Sequence, residues 1–199
     1  SKQPKMKLED KELFEEYFQL QHAVPVNIQL GGDEVNLPSQ EEFEESIPMA
    51  YKIASEMQGL EQNMLRPLRQ LGDVIEPLAD YLKAQSRKID LMMSYVLQAQ
   101  DEEDVKLKTD SFGGGGFVFT TTQSFEIDSW LRCKLFFNED AAAIFCLAKI
   151  VEITANEDSY TYSLLFSRIR DDDREIVVRA SLHLQSKQLL KKAQNKDAK

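Results

Sequence analysis

The sequence predicts an α+β fold: a small antiparallel β-barrel with a long heptad-patterned helical insertion after its first strand and a C-terminal helix. Three observations carry this. Apolar residues alternate with polar ones up to Gly31-Gly32, a register of sevens runs from Met57 to Val96, and segments rich in aromatic and β-branched residues fill 117–169.

The elements follow in chain order. Leu13, Phe14, Tyr17 and Phe18 give 8–18 a short helical pattern. Val24, Val26, Ile28 and Leu30 then alternate with Pro25, Asn27 and Gln29, which predicts a strand with one buried face. Pro25 lacks an N–H and belongs at that strand's start or on an edge. The acidic stretch 33–48 is a loop broken by Pro38 and Pro48. Within it Ser39 followed by Glu42 has the form of a capping box and predicts a short helix.

Between 49 and 102 the residues Met57, Met64, Leu68, Leu71, Ile75, Leu78, Leu82, Ile89, Met92 and Val96 keep a four–three spacing that fails only at Glu61 and Gln85. So narrow a stripe is a coiled-coil signature and predicts an oligomerisation seam; the alternative is a helix packed on its own domain. Pro67 and Pro77 each remove a helical hydrogen bond, so the region is expected to kink or split there, with 78–100 the best unbroken stretch. A helix of that length spans about 35 Å, more than a small sheet domain covers.

After 105 the period changes. In 130–137, Leu131, Cys133, Leu135 and Phe137 alternate with Arg132, Lys134 and Phe136; in 160–167, Tyr160, Tyr162, Leu164 and Phe166 alternate with Thr161, Ser163, Leu165 and Ser167. Short polar connectors at 138–141 and 156–159 suit hairpins, and an antiparallel meander is expected. The last helix opens at Asp171 as N-cap, with Asp172, Asp173 and Glu175 at its positive end and Lys191 and Lys192 at the other. Ile176, Ala180 and Leu184 form its expected buried row. Arg168, Arg170, Arg174 and Arg179 are expected to pair with the aspartates. The domain boundaries are therefore 8–31 and 105–192 for the barrel and its helix, 39–102 for the insertion, and 1–7 and 193–199 as flexible ends.

Composition narrows the function. The 199 residues are 42% hydrophobic and 29% charged, enough to bury a core. A net charge of -10 opposes a general nucleic-acid binder. No apolar run approaches the roughly 18 residues of a membrane span, and nothing at the start has a secretory h-region, so a cytoplasmic location is expected. Cys133 and Cys146 are placed on adjacent strands as a reduced pair. With His22 and His183 they are too scattered for zinc, and no metal or cofactor is expected. No nucleophile elbow, HExxH or GxGxxG occurs, so the chain is expected not to be an enzyme.

The order of these pieces resembles the PilZ family, small barrels that typically receive the bacterial second messenger cyclic di-GMP. "EYFQLQHAVPVNIQL" is similar to the stretch around that family's R-x-x-x-R frame, and "FSRIRDDDREIVVRASLHLQSKQLLKK" to its last strand and helix. "SRKIDLMMSYVL" resembles the K-x-D-x-x-L helix of an atypical subgroup whose inserted helices assemble as a tetramer. Carried over, the two arginines fall on Glu15 and Gln19, and the later D/N-x-S-x-x-G motif on Ser111, Gly113 and Gly116, where only the last glycine survives. A register starting at Asp110, with Phe112 and Gly115, matches no better.

Cyclic di-GMP carries two phosphate charges, which arginine grips as a planar fork. Glu15 sets charge against like charge, and Gln19 offers neutral hydrogen bonds. Two lost charge-assisted contacts cost about 1.5–3 kcal/mol each, a hundredfold to ten-thousandfold in affinity. The resemblance therefore implies a non-catalytic signalling or scaffold protein of a homo-oligomer, tetramer favoured, acting on protein partners in motility, pilus or virulence pathways. A receptor binding cyclic di-GMP in another mode is the alternative. The glycine run 113–116 is expected to be a flexible turn; its other reading is a backbone anion nest.

Overall fold

The structure, a computed structural model, describes residues 3–99 and 104–198, with only the backbone of 57–65. Met57, Glu61 and Met64 lie outside the described side chains. Helix α1 (Leu8–Glu15) precedes strand β1 (Pro25–Gly32), and the insertion holds α2 (Gln40–Ser46), α3 (Met49–Arg69) and α4 (Glu76–Ala99). Strands β2 (Val105–Gly113), β3 (Gly116–Thr121), β4 (Trp130–Phe137), β5 (Ala142–Ala155) and β6 (Tyr160–Arg168) follow, then α5 (Asp171–Asp197). No helix among the described residues is long and apolar enough to cross a membrane.

The six strands close a barrel in the order β1-β2-β3-β6-β5-β4, every pair antiparallel. The expected meander holds only for β4, β5 and β6. The connection 122–129 crosses over and seats β4 against β1, leaving β3 beside β6 in a Greek key. Tyr162 anchors that crossover: its hydroxyl accepts from Phe125 N and donates to Gln123 O, both at 2.9 Å. Strand β2 has no counterpart among the strands expected from the sequence, although Val105, Leu107 and Thr109 face inward and Lys106, Lys108 and Asp110 are exposed.

Inside the barrel pack Val26, Ile28, Leu131, Cys133, Leu135, Phe137, Tyr162, Leu164 and Phe166, the alternation expected of β1, β4 and β6. Leu30 departs from it and is 58% exposed, next to the point where the ladder to β4 shifts register between Leu30 and Gly32. Cys133 and Cys146 are direct cross-strand partners, buried and unbridged. Burial pushes the Cys146 thiol well up, with Cys133 beside it as the next cause.

A second core lies on the outer face of β4 and β5, where Trp130, Phe136, Phe145 and Leu147 meet Phe43, Ile47, Tyr51 and Leu97 from the insertion. Both the start of α3 and the end of α4 are fixed there, so the two helices form a hairpin whose far end is the 70–75 connection. The chain breaks between the two prolines rather than at either, and the insertion turns back on itself. Pro67 falls in the last turn of α3, and Pro77 in the first turn of α4, where its missing N–H has no helical partner to lose. Gly72, at φ 97°, takes the left-handed conformation that the reversal needs. Ser39 caps α2, its Oγ accepting from Glu42 N at 3.1 Å.

The start of α5 differs by one residue from expectation. Arg170 is the N-cap position and Asp171 the first helical residue, with no side-chain cap. Its buried row is Val177, Ala180, Ser181 and Leu184, with Ile176 only partly covered.

Candidate functional site

The positions carried over from the ligand motifs fall around the turn between β2 and β3. Residues 17–22 run alongside it, bonded where Leu20 N donates to Phe112 O at 2.8 Å and Phe112 N returns to Leu20 O at 3.0 Å. This brings Gln19 onto the turn. Its Nε2 donates to Gly116 O, and its Oε1 accepts from Ser111 Oγ, both at 3.1 Å. Gln19, Ser111, Gly113 and Gly116 therefore meet, and Glu15, at the last turn of α1, stays exposed.

The 113–116 turn is fully buried, which corrects the expectation of a flexible turn. Its glycines answer close approach from four sides. A Cβ on Gly113 would overlap Phe18 O, one on Gly114 the Tyr17 ring and Val178, one on Gly115 the backbone of Leu13 and Phe14, and one on Gly116 the Leu164 carbonyl. On the side-chain side of each glycine the turn is packed against the protein's own chain.

Arg174 of α5 closes the arrangement. Its Nη1 donates to Gly114 O at 2.6 Å, and its guanidinium lies 5.6 Å from the centroid of the Tyr17 ring. Among the described residues, Arg170 is the one of the four arginines expected to pair with aspartates that does so, with Asp173 at 2.8 Å. Arg168 donates instead to Pro38 O and Ser167 O. Asp173 is buried, and that burial raises its carboxyl above the usual range against the pull of Arg170.

The seam lies elsewhere. Leu71, Leu78, Leu82, Ile89, Met92 and Val96 are 42–65% exposed, while Leu68 and Ile75 are partly covered. The residues α4 turns inward are Ala79, Ser94 and Leu97, one or two positions off the seam register. Leu97 and Met93 thus anchor α4 on the second core, and the other apolar row faces out.

The β4–β5 turn joins the insertion to α5. Arg87 Nη2 of α4 donates to Glu139 O at 2.6 Å, Lys187 of α5 pairs with Glu139 at 2.6 Å, and His183 lies 3.5 Å from Asp140. The Lys187 hydrogen bond holds the Glu139 carboxyl below its ordinary value. No group of three or more metal-ligating side chains occurs among the described residues.

A closed six-stranded barrel, a helical hairpin inserted after its first strand and a C-terminal helix over a glycine turn define a small-barrel domain with an added helical module. The chain belongs to the PilZ domain family, whose model matches residues 83–182, just over half its length. Among solved structures, an inhibitor of motility from Bacillus subtilis (MotI/DgrA) is similar at 12% identity and TM-score 0.47, over 86% of this chain. The chain spans only 51% of that protein's length. A Xanthomonas campestris protein is similar at 13% identity and TM-score 0.53, over 92% of this chain and 94% of its own. It is described as a pathogenic protein with a tetrameric PilZ domain self-assembled via a helical bundle. At 13% identity the likeness to the Xanthomonas protein is one of fold. No curated protein sequence matches the chain.

Proposed function

We propose that this protein is a non-catalytic signalling or scaffold member of the PilZ family that has lost the family's mode of cyclic di-GMP binding and acts by self-assembly and protein contacts. One observation carries the first half: Gln19, at the second arginine position, is closed onto Ser111 and Gly116 by two hydrogen bonds. A ligand would have to break that closure, and it would meet Glu15 rather than a guanidinium.

The exposed seam supports the second half. Fully burying one such side chain contributes about 1.5–3 kcal/mol, and these are roughly half exposed. Six of them, covered on each chain, are worth on the order of 5–10 kcal/mol per chain, the same order as the cost of association. The tetramer described for the Xanthomonas protein makes a tetramer the favoured order here. The family resemblance points the output toward motility, pilus or virulence control from the cytoplasm.

Calorimetry with cyclic di-GMP tests the loss. The expected result is no measurable heat of binding at micromolar ligand. Micromolar or tighter binding would favour the receptor reading instead.

A further inference from the structure

We infer that Gln85 sets how the chains align: α4 meets the α4 of a second copy in parallel and without stagger, so that each Gln85 faces its own counterpart. This rests on the reading that the chains assemble through the hairpin.

On α4 the side chains of Leu78, Leu82, Ile89, Met92 and Val96 form one row, each 42–62% exposed. Gln85 stands in that row between Leu82 and Ile89, partly covered, and is its one polar residue. The alternating spacing of four and three divides the row into two columns of sevens. Leu78, Gln85 and Met92 make one column, and Leu82, Ile89 and Val96 the other. The residues that α4 buries within its own chain, Ala79, Ser94 and Leu97, belong to neither column.

Once the row is covered, the Gln85 amide loses water and gains no hydrogen bond from leucine or isoleucine. What faces it depends on the alignment. Reversing one helix brings unlike columns together, so Gln85 falls opposite Leu82, Ile89 or Val96. In a parallel pair like columns meet. A stagger of one heptad then sets Gln85 against Leu78 or Met92, and zero stagger sets it against Gln85. An amide both donates and accepts, so each Nε2 has a neighbour's Oε1 to bond. Of these alignments, the parallel one without stagger leaves no buried amide unpaired, and only a chain with glutamine at the same place supplies it. A single polar residue in an apolar seam fixes register in this way, at a cost in stability.

Two measurements on the full chain test this. Leu78→Cys and Met92→Cys, made singly and oxidised with diamide, read the alignment. With like columns in register each site meets itself, and both variants are expected to give a covalent dimer on a denaturing gel. The two sites lie about 21 Å apart along α4, so no antiparallel register brings both onto themselves. A one-heptad stagger separates each from its counterpart by about 10 Å, beyond the reach of a disulfide. Cys133 and Cys146 are buried, and wild type treated alike is the control. In a dilution series followed by sedimentation, Gln85→Leu is expected to stay assembled at concentrations at least about tenfold lower than wild type.

An assembled cysteine variant that gives no covalent dimer overturns the inference. So does a Gln85→Leu chain that assembles no more tightly than wild type, and this comparison decides alone if a cysteine variant does not assemble. Wild type at the mass of a single chain defeats the proposed function and this inference together; an assembled wild type with either negative result defeats only this inference.

Discussion

Gly116 sets how tightly the site is closed. Its missing side chain admits the Leu164 carbonyl from β6, and its own carbonyl receives the Gln19 amide. Gly116→Ala must push backbone apart, so a loss of about 1–3 kcal/mol is expected, read as a melting point lower by about 2–4 °C per kcal/mol. Asp173 gives a pH signature of unusual sign. Its carboxyl is raised on folding, so the folded state holds the proton more tightly than the unfolded state. Its contribution is complete below the ordinary carboxylate value and is lost as pH rises through the raised one. Urea titrations of wild type and Asp173→Asn should differ in slope across that window, wild type declining more with rising pH. Parallel curves would remove the burial argument. At this scale the sequence brought Gln19, Ser111, Gly113 and Gly116 together through the spacing of a family frame. Arg174 was not legible as a cover for the turn, because its partners Tyr17 and Gly114 are far from it in sequence and three aspartates stand closer.

Among the elements, α3 and α4 were the most legible, because a seven-residue period and two prolines are local signals. That they form a hairpin depends on the second core, which joins Tyr51 and Leu97 through Phe145, and no local pattern shows this. Strand β2 escaped notice for the opposite reason: its inward residues end in Thr109 and Ser111, and its outward ones are lysines and an aspartate, so the alternation is there but weakly apolar. Replacing Leu78, Leu82 and Ile89 by serine should shrink the assembly in sedimentation velocity without unfolding it, since all three are exposed in the single chain. A sedimentation coefficient equal to wild type would return the stripe to an internal role.

For the whole molecule, an acidic chain folds a barrel whose 113–116 turn packs against residues 13–18, and it carries a hairpin with an exposed apolar row, anchored at one end. The β4–β5 turn ties α5, whose Arg174 covers the 113–116 turn, to α4, which carries the exposed apolar row. Barrel closure was legible from the number of strands, but their order was not, since pairing β4 with β1 joins residues about a hundred positions apart. Assembly through the hairpin is the central claim, and sedimentation equilibrium of the wild-type chain tests it most directly. At about 10 μM, where a micromolar association is already populated, the account predicts a mass near four times that of one chain. The mass of a single chain at that concentration would contradict it.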